Sequence, residues 1–474
     1  MSGQRFALLR ELKLPPTLGT EASNWNVGGR LCRAKAPSGA LAVALLALLA
    51  LLALLAATPL AAQEDEWGDG WGDDPWSEEA SAFSWYGFVE GAGAWRTRDN
   101  PVIDEDMTLE ELRLQLEGEY LADWATFSVK ADGVADGVED EFTGEVREAM
   151  VSFSPAERLD VRLGRQVLTW GTGDLLFVND LFPKDWQSFL AGRDDEYLKA
   201  PSDAARFSWY GEAVNLDVVV TPRFEPDRYV DGSRLSYYDP ARGALVGAPP
   251  TLVADEPAHS VENAELALRL YGLAGAREWA LYGYRGFFGQ PTAFDAERGV
   301  ATFARLNSLG ASLRGPLGGG IYHLETAWYD SADDRGGDDP NVPNSELRLL
   351  AGYEREVATR FTVGTQYYLE WLQDYAAYAA NYPFAAADPR DEYRHVVTLR
   401  LTYRMLRDNL ILGVMNFYSP SDEDAFIRPT VTWRYSDTLQ FNAGANLFTG
   451  ERDSTFYGQF EENSNVFLRA RYSF

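Results

Sequence analysis

The sequence predicts an all-β chain: a closed antiparallel transmembrane β-barrel of about 18 strands, with short turns at one rim and long loops at the other. Three observations carry this reading. Residues 463–474 alternate without a break, with Val466, Leu468, Ala470, Tyr472 and Phe474 on one face and Phe467, Arg469, Arg471 and Ser473 on the other. A period of two is the signature of a strand. The same alternation recurs from Phe83 onward, and the links between alternating segments are short and long in turn.

Composition sets the bounds. The chain has 474 residues and carries 42 Lys and Arg against 72 Asp and Glu, a formal charge of −30. Acidity of this size excludes the basic footprint of a nucleic-acid partner. Hydrophobic residues make up 46% of the chain, while the mean hydropathy is −0.28. After residue 57 no apolar run reaches the roughly 20 residues of a membrane-spanning helix, so a membrane span here must be a strand. Aromatics reach 13%, with 24 Tyr and 14 Trp, which suits the interfacial girdles of a barrel.

At the amino end, residues 40–57 consist only of Ala, Leu and Val, with Arg30, Arg33 and Lys35 ahead of them and small residues up to Ala62 behind. A basic flank, an apolar core and a small-residue end read as a secretory signal peptide, here 1–62 with an extended n-region; a retained signal anchor is the alternative. Its removal takes six basic and two acidic residues, leaving 36 against 70, or −34. The single cysteine, Cys32, goes with it, so the mature chain needs no disulfide. Residues 63–82 form an acidic, Gly-rich segment with Trp67, Trp71 and Trp76, and their order does not fit an EF-hand loop. The segment reads as a flexible periplasmic tail, or as a docking peptide for a periplasmic partner. The barrel is expected over 83–474.

Within the barrel, Leu112, Leu114, Leu116, Gly118 and Tyr120 stand opposite Arg113, Gln115, Glu117 and Glu119. Similarly, Val397, Leu399, Leu401 and Tyr403 stand opposite Thr398, Arg400, Thr402 and Arg404. Short links at 121–123, 154–158, 272–278, 315–319, 354–360, 405–409 and 436–438 alternate with long ones. The long ones are 96–107, 134–143, 169–204, 222–261, 289–300, 330–344, 373–394 and 449–462. A soluble sandwich would alternate in its strands but would show no such rule in its loops. Acidic residues gather in the long loops, as at Asp330, Asp333, Asp334, Asp338 and Asp339, or at Asp422, Glu423 and Asp424. These are expected to be solvated, or bridged by divalent cations to lipopolysaccharide phosphates.

The third long loop stands out. It follows the fifth strand (Leu159 to Gln166, with Val161 outward and Arg162 and Gln166 inward) and holds Trp170, Leu175, Leu176, Phe177, Val178, Phe182 and Trp186. That is too apolar to stand in water, and folding inward onto the barrel wall would bury it; lying over the barrel top is the alternative. The run Leu163-Gly164-Arg165-Gln166 followed by Trp170-Gly171 and Asp174 resembles a segment of porin-like barrels, among them alginate-export channels and several uncharacterised families. The ending on Phe474 after Tyr472 likewise resembles the closing strand of Gram-negative outer-membrane barrels, where it serves as an assembly signal. The resemblance implies an outer-membrane channel. In the general porins, third-loop carboxylates face an arginine-bearing wall across a constriction. The corresponding residues here are Asp174, Asp180, Asp185, Asp194, Asp195 and Glu196, with Trp170 beside them, although their glycine-rich, mixed order departs from that pattern.

The strands' inward faces supply the wall: Arg113, Lys130, Arg162, Gln166, Arg269, Arg348, Arg400, Arg404, Arg434, Arg469 and Arg471 are the expected pore-lining residues, with Arg428 beside them. Some of these are expected to pair with inward Glu117, Glu119, Glu265 and Glu346. No metal-ligand spacing joins His259, His323 and His395, and no cofactor is expected. His323 two residues from Glu325 is the one weak hint of a hydrolase. The reading is a porin-like channel for small polar or charged solutes, not an enzyme, in the outer membrane. Its expected partners are the bilayer, lipopolysaccharide and the assembly machinery. A docking barrel with a plugged lumen and a polysaccharide-export channel are the alternatives.

Overall fold

The computed structural model describes residues 30–35, 82–249, 252–385 and 388–474. The signal peptide and acidic tail read from the sequence therefore lie outside the described residues, apart from Arg30–Lys35 and Ala82. The first strands are β1 (Phe83–Arg96), β2 (Met107–Leu121), β3 (Thr126–Asp136), β4 (Glu141–Ala156), β5 (Leu159–Val167) and β6 (Pro201–Tyr210). Next come β7 (Asn215–Thr221), β8 (Glu265–Ala274), β9 (Arg277–Phe287), β10 (Arg305–Leu317), β11 (Gly320–Ser331) and β12 (Glu346–Ala358). The circuit finishes with β13 (Phe361–Leu372), β14 (Tyr393–Met405), β15 (Leu410–Ser419), β16 (Asp424–Arg434), β17 (Leu439–Gly450) and β18 (Asn465–Ser473).

Each strand pairs antiparallel with the next, and β18 returns to β1 from Phe88↔Ser473 to Arg96↔Asn465. These eighteen strands form a closed barrel. Outside that ring, the backbone of Arg30–Lys35 pairs with the start of β4, Lys35 opposite Glu141. The described residues contain no helix long and apolar enough to cross a membrane.

One rim carries only tight links, such as 157–158, 275–276, 318–319 and 359–360, and the other carries 168–200, 222–264, 288–304 and 373–392. The expected long loop at 134–143 is instead a four-residue turn, 137–140. Its alternation runs on through Asp136, whose carboxylate accepts the Val138 and Glu139 N–H groups at 3.0 and 3.2 Å. Such an Asx turn closes a hairpin without further chain.

Outward side chains are those the alternation assigns: Val129, Leu268, Leu399 and Leu468 are exposed, as are Trp124, Trp433 and Tyr403 near the tight-turn rim. An apolar wall of this extent on a closed barrel faces lipid. The inner surface holds the packed core. Phe417, Phe426 and Phe448 face inward on neighbouring strands and stack at 5.7 and 4.6 Å, within 13° of parallel. Leu306, Tyr329, Leu350 and Tyr368 extend the cluster around the wall, against Val178, Phe189 and Leu190 of the segment after β5.

The seam explains the chain's last residue. Gly87 and Phe474 exchange both backbone hydrogen bonds at 3.0 and 2.9 Å, and the Phe474 ring meets Trp85 edge-on at 6.0 Å. A Cβ on Gly87 would lie 2.3 Å from the Gln115 carbonyl oxygen, so only glycine admits this closure. Deleting Phe474 is expected to lower the amount of assembled barrel at the cell surface several-fold and to leave the conductance of barrels that do assemble unchanged. Surface labelling and bilayer recordings separate the two effects.

Candidate functional site

After β5 the chain turns into the barrel. Leu168 and Trp170 fix this turn against β8 and β9, with the Trp170 ring 5.0 Å from Phe182 and 6.1 Å from Tyr282. Gly171, at φ +86°, then aims successive N–H groups at Glu325 on β11. That carboxylate accepts from the Thr172 N–H, from Thr172 Oγ1 and the Gly173 N–H at 2.8 Å each, and from Asn179 Nδ2 at 2.8 Å. A Cβ at Gly171 would lie 3.3 Å from the same carboxylate, in a conformation that side chains avoid, so the glycine is needed twice over. One residue on, Gln366 accepts from the Asp174 N–H at 2.9 Å and donates to its carbonyl at 3.0 Å.

The segment then crosses to the other side. Helix α1 (Trp186–Ala191) is capped by Asp185, which accepts from the Ser188 N–H at 2.7 Å, and it ends at Gly192 in the left-handed region. The missing Gly192 side chain leaves room for Phe467 of β18, whose atoms lie 3.2 Å from where a Cβ would be. A 3-10 turn, Asp195–Leu198, follows behind Asp194.

Four of the predicted loop carboxylates reach arginines of the wall. Asp174 lies 2.6 Å from Arg400, Asp194 3.1 Å from Arg469, Asp195 2.7 Å from Arg428, and Glu196 3.0 Å from Arg471. The other two hold the loop's own fold and its contact with the 222–264 segment. Asp180 binds Lys184 and Lys199 at 3.0 and 3.1 Å, and Asp185, besides its capping bond, meets Arg228 at 3.0 Å. Trp170 belongs to the wall packing and has no ionic role.

Of the predicted inward residues, Arg113 is buried, 2.6 Å from Asp132 and stacked 4.0 Å above the Tyr197 ring. Lys130 pairs with Glu117 at 2.9 Å, Arg348 with Glu346 at 2.8 Å, and Arg269 approaches Asp217 at 4.0 Å. Arg471 also binds Glu90 at 2.8 Å. Gln166 is buried and spends its amide on the Gly164 and Ala204 carbonyls, so it is unavailable to a solute. Arg162, Arg404 and Arg434 are exposed and form no ion pair among the described residues. Glu265, expected to meet an arginine, takes the Tyr284 hydroxyl instead. The His323–Glu325 pair does not form, because Glu325 is occupied by the loop and His323 bonds Gln366 at 3.2 Å.

A second inward piece, within 222–264, gives no sign in the sequence. Its Arg228 bridges Asp185 and Glu145, and Arg234, 2% exposed, pairs with Asp136. Asp227 holds α1 from outside, accepting from the Lys184 N–H at 2.8 Å and from Trp186 Nε1 at 2.9 Å.

Electrostatics sharpen the docking. Burial pushes the Asp194 carboxyl up, but Arg469 and Arg471 outweigh it and hold the group below its ordinary range. With the folded value depressed, Asp194 strengthens docking above the ordinary carboxylate range of about 4, and the effect is lost only as pH falls through the lowered value. Conductance is therefore expected to stay flat from pH 7 to about 5 as far as this contact controls it, and to change below about 4. For Asp227, burial outweighs Lys184 and raises the carboxyl, so its contribution has the opposite sign and falls as pH rises through the raised value.

No protein-family model and no curated protein matches the chain. Acinetobacter baumannii OccAB4 matches with a TM-score of 0.51 at 10% identity, over 83% of this chain and 98% of that one. The fold is that of the outer-membrane porins. Pseudomonas aeruginosa OccD3 (OpdP) aligns over 83% of this chain and 91% of its own, with a TM-score of 0.48 and 10% identity. A Rhodopseudomonas blastica porin mutant aligns over 83% and 100%, with a TM-score of 0.35 and 12% identity. A closed antiparallel barrel with an apolar outer wall is an outer-membrane architecture.

Proposed function

We propose that the chain is an outer-membrane channel for small polar or charged solutes, narrowed by the inward segment 168–200. The observation that supports this most directly is the set of carboxylate–guanidinium contacts between that segment and the wall, from Asp174–Arg400 on one side to Asp194–Arg469 on the other. A barrel of this strand number has room for an aqueous lumen, and a chain crossing it leaves passage only where charged side chains line both banks. Size is then set by the backbone of the segment, and charge preference by the balance of its carboxylates with the arginines opposite.

Single-channel recording of the purified barrel in a planar bilayer tests this. Steps of ion current are expected, and their absence would sink the proposal. The apolar packing of Phe189 against Phe426 favours a second reading, a structural barrel whose lumen is plugged, and absence of current would point there. Arg400 gives a finer test, since its contact with Asp174 is half exposed and worth about 1 kcal/mol or less to stability. Arg400→Ala is thus expected to keep the melting temperature within a few degrees while moving the reversal potential toward cations. An unchanged reversal potential would remove this bank from the conduction path.

A further inference from the structure

The outer wall carries a feature that a channel does not require. On β8–β11, Arg285, Asn307 and Asp330 form a polar row in register at the long-loop rim, on the lipid-facing side. Directly below lies the row Leu268, Gly283, Leu309 and Trp328, then Leu281, Ala311, Thr326 and Leu349, then Leu313, Leu324, Ala351 and Tyr367. The small side chains at Gly283, Ala311 and Ala351 sink a trough between exposed Leu309, Trp328 and Leu324. Its upper part encloses about 710 Å³, with Arg335, Gln373 and Asp374 from the loops overhanging it, and its lower part about 470 Å³.

Charge and length identify an occupant. Arg335 is neutralised by Asp330 at 3.0 Å, whereas Arg285 is exposed on the same rim and has no ion pair among the described residues. A guanidinium at the top of an apolar trough complements an anionic head above a hydrocarbon tail. Three row spacings of two residues each run about 20 Å along the strands. At a strand tilt near 40° this is about 15 Å of depth, one leaflet of a roughly 30 Å core. The polar end lies at the rim of long loops, so the leaflet is the extracellular one. We infer that this trough is a binding site for a phosphorylated glycolipid of the extracellular leaflet, of lipid A type, with an acyl chain along Gly283 and Ala311 and a phosphate on Arg285. The site is independent of the channel, because Arg285 faces away from the lumen.

Native mass spectrometry of the purified barrel tests it, with bisphosphorylated lipid A, its dephosphorylated form and phosphatidylethanolamine as probes. Lipid A is expected to bind best. Arg285→Gln should weaken it about ten-fold, the loss of one charge-assisted contact, and leave the dephosphorylated form unaffected, while Arg285→Lys stays within about three-fold. Gly283→Leu places a side chain in the trough, where a Cβ meets nothing nearer than 3.9 Å, and should weaken both lipid A forms alike. Heat-modifiable migration verifies folding of each variant. Lipid A binding unchanged by both Arg285→Gln and Gly283→Leu would overturn the inference. So would efficient cross-linking between copies through a cysteine placed at Leu309, which would assign the trough to a second copy of the chain.

Discussion

Excising residues 172–196 is expected to raise single-channel conductance several-fold. The segment bridges the lumen, hydrogen-bonded to Glu325 and Gln366 at one end and ion-paired to Arg428, Arg469 and Arg471 at the other. Without it, the cross-section becomes that of the bare wall, which in a barrel of this size is an aqueous channel. Four wall arginines, Arg400, Arg428, Arg469 and Arg471, would lose their loop carboxylates in the same step, so anion preference should rise with conductance. The deletion also strips the cover from Leu306, Phe417, Phe426 and Phe448. Burying side chains of this kind is worth about 1.5–3 kcal/mol each, so the barrel should lose stability as well, visible as heat-modifiable migration at a lower temperature. Conductance unchanged in a barrel that still folds would mean that solutes pass elsewhere, for instance beside the 222–264 segment.

The barrel was legible because lipid imposes one apolar face on every strand, and alternation reports that face directly. Leu399 and Leu468 point outward as their spacing requires, and Thr398 and Arg469 inward. What alternation hides is an apolar residue on the second face. In β15, Leu410 and Leu412 face outward to lipid while Met415 and Phe417 on the other face pack into the core against the loop, so the strand is apolar on both sides. Periodicity alone does not separate those two partners. For the candidate site, residue type gave half of the answer. The loop acids and the wall arginines were visible as two sets, and the register of β18 placed Arg469 and Arg471 inward. Their pairing was not visible, nor were Glu325 and Gln366, which hold the loop from more than 150 positions away. Asp180 and Asp185 carry the same charge as Asp194 and sit in the same segment, but local geometry turns them to Lys184 and to the helix N-terminus. Sequence gives the charge of such a residue, and only the fold gives its direction.

Arg469→Glu is expected to release the α1 end of the segment, with a larger effect on docking than Arg400→Ala at the other end. Arg469 is almost fully buried, lies 3.1 Å from Asp194 and 5.5 Å from the centre of the Phe467 ring, and shares Asp194 with Arg471 at 3.8 Å. Arg471 at 3.8 Å still compensates part of the Asp194 charge, but reversal sets a new, almost buried carboxylate against Asp194, a loss of up to about 3–5 kcal/mol. Arg400→Ala, at an exposed contact, should lose about 1 kcal/mol or less. The contrast decides whether the segment is held by its ends equally or by β18. If β18 dominates, Arg469→Glu should give noisy, enlarged current steps, and Asp194→Lys in the same chain should restore quiet ones by re-forming the pair with its charges exchanged. Failure of the exchanged pair to restore them would mean that the Gly192–Phe467 packing beside it, and not the ion pair, holds the segment against the wall.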